Sequence, residues 1–256
     1  LFKSNKYFLT EFIEDKLSII CTFQFFFRKN LTKFWPIKPK PPVIKIFFFI
    51  FTICLYKPIL MNKKSYFSIK EYKKLIKFFK SLGYNFVFFS KNIKKNKNIL
   101  LRHDVDIDIL KAYEMAKIEN KLNIKSTYFF LTSSKLYNCL EHKNQNLIKK
   151  ISYLGHEIGL HFDFSIYKNS YLANINKMFN LEKKILEDII GKKIKFVSFH
   201  KPGKNGIPKK LNYGKLLNVY NRNFFKNILY YSDSKGIWRF GEPILDEKIL
   251  KFKRSL

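Results

Sequence analysis

Hydrophobic positions along this chain change their spacing several times, and each change marks an element. Ser68-Ile69-Lys70-Glu71 has the form of a capping box, in which serine and glutamate satisfy each other's backbone N–H groups at a helix start. Tyr72, Leu75, Ile76, Phe79 and Leu82 then recur at helical spacing, and Gly83 stands where a C-terminal glycine belongs. Phe86-Val87-Phe88-Phe89 reads as a short buried strand, and Ile99-Leu100-Leu101 as another that runs into Arg102-His103-Asp104. Residues 110–120 read as a helix with a weak stripe of Leu110, Tyr113 and Ala116, and residues 127–131 as a strand. Leu147, Ile148, Ile151 and Leu154 make a helical face that stops at Gly155, and residues 157–161 can form the next strand. The clearest stripe is Ile175, Met178, Leu181, Ile185 and Ile189, ending at Gly191; residues 195–199 and 228–231 read as further strands. Strands that are apolar throughout, alternating with helices, predict a parallel sheet covered by helices. A barrel and an open doubly wound sheet both fit, and there is no internal repeat.

Residues 1–60 read differently. They hold Phe25-Phe26-Phe27, then Lys38-Pro39-Lys40-Pro41-Pro42, then an apolar run from Ile46 to Tyr56 closed by Lys45 and Lys57. That run is shorter than the ~20 residues a membrane-spanning helix needs, and no small-residue cleavage site follows it. Three readings are open: an upstream stretch translated but not part of the protein, a marginal membrane anchor, or an unusual N-terminal extension. The first is preferred, because the orderly pattern begins directly after Met61. The organisation expected is therefore a leader over 1–60 and one domain over 61–256.

Composition alters this picture little. The 256 residues carry 50 Lys+Arg against 19 Asp+Glu, a formal net charge of +31. Only Arg28, Arg102, Arg222, Arg239 and Arg254 are arginine, the residue that nucleic-acid readers use for bidentate contacts, and the lysines are spread along the whole chain. A solvated lysine surface is preferred over a nucleic-acid patch, and anionic substrates fit the charge. Cys21, Cys54 and Cys139 show no CxxC spacing, so neither a disulfide framework nor a zinc ribbon is supported and a reducing cytoplasm is expected.

Chemistry concentrates at strand ends. Four of the five histidines (His103, His156, His161 and His200) lie at or near the ends of expected strands, accompanied by Asp104, Asp106 and Asp163. Side chains two apart on an extended segment point the same way, so Asp104 and Asp106 can address one cavity. Two adjacent carboxylates repel unless a cation or shared proton lies between them, which a divalent metal would supply. Asp108 is better read as the cap of the following helix. His161, closing its strand, is a natural metal ligand, whereas His156 opens that strand and is better read as a buried, hydrogen-bonded histidine. His200 closes a different strand and is read as third ligand or proton donor to the same cavity.

Arg102-His103-Asp104-Val105-Asp106, Ser126-Thr127-Tyr128-Phe129-Phe130, the segment from Gly155 to Asp163 and Ser198-Phe199-His200-Lys201-Pro202 follow in order. Together they resemble the polysaccharide deacetylase family (carbohydrate esterase family 4, the nodulation-type deacetylase domain), in its bacterial branch with HDVD and GHEIGLHxD motifs. Ser232-Asp233-Ser234-Lys235-Gly236-Ile237-Trp238-Arg239 is similar to a later motif of that branch. The resemblance implies a distorted (β/α) barrel of about seven parallel strands. It also implies a metal-dependent hydrolase that removes N- or O-acetyl groups from sugars of a surface polysaccharide or its precursor. Carried over, Asp104 would be the general base, Asp106 and His161 metal ligands, and the ion a divalent metal, zinc by expectation. His200 joins Asp104 as a catalytic candidate, and Asp163, Arg102, Asp233 and Arg239 are candidate further ligands or substrate contacts. Two departures stand out. Ser165 occupies the position of the family's second histidine, so the third ligand would be Asp163, His200 or water. The family's late Leu-x-His motif is missing, which implies either an incomplete C-terminus or that His200 serves its role. The alternative is an inactive domain of this fold that binds carbohydrate. The partner expected is carbohydrate and no nucleic acid, with membrane association only if residues 1–60 belong to the protein.

Overall fold

The structure, a computed structural model, describes residues 68–90, 97–167, 169–202, 206–208, 210–221, 228–233, 238, 241–246 and 249. The start expected at Met61 and the candidate Arg239 lie outside them. Helix α1 (Ile69–Ser81) begins at Ser68, whose Oγ accepts from the Glu71 N–H at 3.2 Å. The box is half formed, since the Glu71 carboxylate instead pairs with Lys74 at 2.8 Å. The expected stripe of Tyr72, Leu75, Ile76 and Phe79 is the buried face, and Gly83 follows at φ 73°.

Strands β1 (Asn85–Phe86) and β2 (Asn98–Ile99) form a short parallel pair. The run expected to continue to Phe89 leaves the ladder after Phe86, because its partner ends at Ile99; Phe89 is buried without being strand. The main sheet holds β3 (Arg102–Val105), β4 (Thr127–Phe130), β5 (Glu157–Phe162), β6 (Phe196–Phe199) and β7 (Leu217–Asn218), all parallel and in sequential order. Helices α2 (Ile109–Lys121), α3 (His142–Tyr153) and α4 (Leu172–Ile190) make the connections from β3 to β6. Right-handed crossovers that always step in one direction put every helix on the same face, and α2 packs on α3 and α3 on α4. A doubly wound sheet would need its strand order to reverse, so the sequential order decides for barrel-like winding. The seven described strands fall in two sheets, and among the described residues no ladder joins them into a closed barrel.

The expected strand over 228–231 is a correction. Leu229 alone makes a bridge there. The segment alternates between two apolar clusters as a strand would, Ile228 joining one and Leu229 and Tyr231 the other, but among the described residues no ladder extends beyond that bridge. Conversely β7 is two residues long and carries no pattern that sequence could show.

Alternation along the strands divides the sheet. Val105, Tyr128, Phe130, Leu160, Phe162, Val197 and Phe199 face the helices and meet Ala112, Ala116, Ile148, Phe179 and Leu186 in the largest core cluster. Such burial contributes about 1.5–3 kcal/mol for each full-sized side chain. Arg102, Asp104, Phe129, Gly159, His161 and Ser198 take the opposite face. Because all five strands run the same way, the residues just beyond them (Asp106, Asp163 and His200) gather at one rim.

Candidate active site

The floor of that opposite face is the Phe129 ring, and it lies there because position 159 has no side chain. A Cβ on Gly159 would stand 2.5 Å from Phe129 Cε1 and 3.0 Å from the Phe196 carbonyl oxygen. The Arg102 guanidinium lies 5.5 Å from the centre of the Phe129 ring and 4.6 Å from that of Tyr220. Arg102 is fully buried and is held by three groups. Nε donates to Asp104 Oδ1 at 3.1 Å and Nη2 to Asp104 Oδ2; Nη2 also reaches Ser198 Oγ at 2.9 Å and the Tyr220 hydroxyl at 2.6 Å. This forked pairing is the strong geometry of arginine with a carboxylate. Arg102, a candidate substrate contact by sequence, thus touches the site through Asp104.

Ser198 ties the two halves together. Its hydroxyl donates to Asp104 Oδ1 at 3.3 Å, accepts from Arg102, and lies 3.0 Å from His161 Nδ1. His161 turns its other ring nitrogen, Nε2, toward Asp106 Oδ1, 3.3 Å away. The same Nε2 is 3.9 Å from Asp104 Oδ2. Asp106 Oδ1 is buried and has no hydrogen-bond partner. A ring nitrogen and a carboxylate oxygen so placed call for a proton or a cation between them. Burial pushes the Asp106 carboxyl up, but His161, then His200 and Lys201, outweigh it and hold the group below its usual value.

His200 completes the rim. Its Nε2 is 4.0 Å from Asp106 Oδ2, its ring centre 5.4 Å from that of His161, and its Nδ1 2.9 Å from Asp163 Oδ2. Burial lowers the imidazole's proton affinity, yet Asp163 and Asp106 outweigh that and raise it. Asp163 moves the other way: burial is overcome by His200 and Ser165, which hold its carboxyl well below the usual range. Ser165 turns its N–H and hydroxyl onto Asp163 Oδ1, at 2.9 and 2.6 Å.

The structure therefore brings together Asp104, Asp106, Asp163, His161 and His200, with Arg102 behind them. Asp233 is fully buried, neither carboxyl oxygen has a hydrogen-bond partner, and burial, with Asp104 adding to it, drives its carboxyl well above the usual range. Asp108 caps α2, its side chain accepting from the N–H groups of Leu110 and Lys111.

His103 and His156 do not join the cluster. His103, one residue from Asp104, points to the helix face and meets Glu119 Oε1 at 2.6 Å. Glu119 also accepts from the hydroxyls of Tyr72, Ser126 (2.6 Å) and Tyr128 (2.8 Å). His156 reaches this network through Ser126 at 2.8 Å and places its other nitrogen 3.1 Å from the Ala116 carbonyl. Burial raises the Glu119 carboxyl, but His103 and the remaining partners outweigh it and bring it to about 2. Sequence reading missed Ser198 and Tyr220 as site residues. Ser198, on β6 two residues before His200, could have been found by alternation; Tyr220 follows the two-residue β7 and had no signal.

As holders of a divalent cation the residues present fit in kind. Asp106 offers a buried oxygen without a hydrogen-bond partner, and His161 a ring nitrogen 3.3 Å from it. That separation is about what two donors on one tetrahedral zinc show, with bonds near 2.0–2.1 Å. Both histidines are gripped at Nδ1 by an oxygen, the usual arrangement behind a metal-binding imidazole. Among the described residues no three His, Cys, Asp or Glu side chains converge closely enough to form a cage.

No protein-family model matches the chain, and no curated protein does. Among solved structures, IcaB from Ammonifex degensii is 15% identical, over 61% of this chain and 72% of that one, with a TM-score of 0.44. A family 4 carbohydrate esterase from Bacillus anthracis is 12% identical, over 71% and 86%, with a TM-score of 0.35. At these values the functional reading rests on the residues of the site.

Proposed function

We propose that the chain is a metal-dependent hydrolase of the polysaccharide deacetylase type, removing N- or O-acetyl groups from sugars of a surface polysaccharide or its precursor in the cytoplasm. The observation that carries this reading is the partnerless Asp106 oxygen facing His161 Nε2 across 3.3 Å, with Asp104 at 3.9 Å from the same nitrogen. Asp106 and His161 would hold a divalent cation, zinc by preference. Such an ion acidifies a bound water and polarises the acetyl carbonyl. Asp104, oriented by Arg102 and Ser198, takes the water's proton at its carboxylate. His200, its Nδ1 anchored by Asp163, presents Nε2 toward the rim and gives a proton to the departing amine or alkoxide.

A second reading has its own support. Both Asp104 oxygens are engaged by Arg102, so an incoming water has to compete with the guanidinium to reach them. On that reading the domain binds carbohydrate without hydrolysing it. Metal analysis and acetate release from N-acetylated oligosaccharides separate the two. If the hydrolase reading holds, Asp106→Ala loses metal and activity together, while Asp104→Asn keeps the metal and loses roughly 10²–10⁴-fold in rate. Equal metal loss in both variants would mean one chelating pair with no separate base, and a metal-free, inert wild type would support the binding domain.

A further inference from the structure

Two non-glycine residues among those described have positive φ, Asn123 at 52° and Lys201 at 46°. Asparagine visits that left-handed region readily, whereas a lysine there is strained. Its position adds to the strain, because Pro202 follows and the residue before a proline is normally extended. The surroundings impose the turn. On one side the His200 N–H donates to the Phe162 carbonyl of β5 at 3.0 Å, and on the other the proline ring fixes the chain. Glycine would take this turn without steric conflict. Strain of this kind clusters where a site uses the residue that bears it.

Lys201 is exposed and directly follows His200 at the rim of the candidate site. Its charge acts on both Asp106 and His200, behind the larger effects of burial and of the partners each already has. The loops at this edge supply no general positive field, since Asp106, Asp108, Glu141 and Asp163 offset Lys135 and Lys143. Attraction for an anion is therefore local to one ammonium group. We propose that Lys201 binds an anionic substituent, a phosphate or a carboxylate, carried by the acetylated sugar beside the group to be removed. The inference rests on the reading of this edge as a sugar site and adds the substrate class, an acidic or phosphorylated sugar instead of a neutral one. A lysine ammonium is a point charge on a flexible stem, so it takes either anion without demanding a fixed fork geometry.

The test measures binding of three sugars to the full chain: N-acetylglucosamine, its 6-phosphate, and N-acetylmuramic acid, which carries a carboxylate. The proteins compared are wild type, Lys201→Asn, Lys201→Gly and Lys135→Asn. Asparagine keeps the left-handed turn and removes the charge. Wild type should bind at least one anionic sugar about tenfold more tightly than the neutral one, the scale of one hydrogen bond to a charged group. Lys201→Asn and Lys201→Gly should lose that preference while binding the neutral sugar as before, and Lys135→Asn should keep it. Lys201→Gly should also melt no lower than wild type. Which anion shows the preference separates phosphate from carboxylate. A preference that survives in Lys201→Asn puts the anion elsewhere, on a bound metal for instance, and overturns the inference. Equal loss in Lys135→Asn overturns it too, as does a Lys201→Gly that melts well below wild type, which would make the lysine structural. A wild type that binds neutral and anionic sugars equally overturns this inference alone; one that binds neither overturns the sugar-site reading with it. Because binding is read and not turnover, a domain that holds sugar without hydrolysing it is tested in the same way.

Discussion

Replacing Glu119 with glutamine tests whether the far face of the sheet is held by a buried anion. Ionised, Glu119 accepts from four groups: Tyr72, His103, Ser126 and Tyr128. Glutamine keeps one accepting oxygen and turns an amide NH₂ toward the other pair, leaving two buried donors opposed by a donor. At about 1–3 kcal/mol for each unsatisfied group, the cost is about 2–6 kcal/mol. An independent route gives a similar figure, since a carboxyl brought from its ordinary 4.5 to about 2 corresponds to about 3 kcal/mol. Against a typical domain stability of about 5–15 kcal/mol, that is a large share. The sign follows from the lowered value. The contribution is complete above about 4.5, where the unfolded carboxyl is ionised, and is lost as pH falls from there toward about 2. Urea unfolding of wild type and Glu119→Gln should therefore show a gap of about 3 kcal/mol that is constant from pH 8 to 6 and narrows below about pH 4.5. Glu182 is the control: burial raises its carboxyl while Thr132 and Tyr167 donate to it, so any proton uptake there favours the fold as pH falls. Glu182→Gln meets one part-buried hydroxyl on each side, within reach of water, where each Glu119 oxygen meets two buried donors, and should cost less than about 1 kcal/mol at pH 7. A gap below about 1 kcal/mol for Glu119→Gln at pH 7, or one that stays constant on acidification, would refute the reasoning.

Gly159→Ala should destabilise by about 1–3 kcal/mol, the usual cost of overpacking, because Phe129 is fully buried and cannot swing away; a melting curve unchanged from wild type would contradict this. Ser198→Ala removes the hydroxyl behind His161 and should weaken metal retention about 10–100-fold, measured by competition with a chelator; full retention with lower stability alone would make Ser198 structural. Asp163→Asn discriminates the two uses of His200: slower deacetylation with full metal content marks a proton donor, and metal loss marks a ligand.

The parts legible in the sequence were those where one period runs long enough to be read. Helix α1 with its Ser68 cap and the apolar strands β4 to β6 qualify. The helix α4 was legible but not its face: Ile175, Phe179, Leu186 and Ile189 are buried, whereas Leu181 of the expected stripe is exposed. The strand expected at 99–101 falls instead between β2 and β3, which is Arg102–Val105. Residues 228–231 misled because alternate burial mimics a strand when two apolar clusters flank an irregular segment. The grouping of Asp104, Asp106, His161, Asp163 and His200 was readable from two-residue alternation beyond strand ends, and that rule, applied further, also separates His103 from its neighbour Asp104. The Arg102 grip on Asp104 was not readable, since its partners Ser198 and Tyr220 come from distant segments.

The single hydroxyl of Ser198 touches both Asp104 and His161. Asp104 stands on β3, His161 on β5 and Ser198 on β6, so one oxygen atom gauges the spacing between the candidate base and the candidate ligand across three strands. A substitution at Ser198 removes that gauge and should loosen both side chains together rather than either one alone.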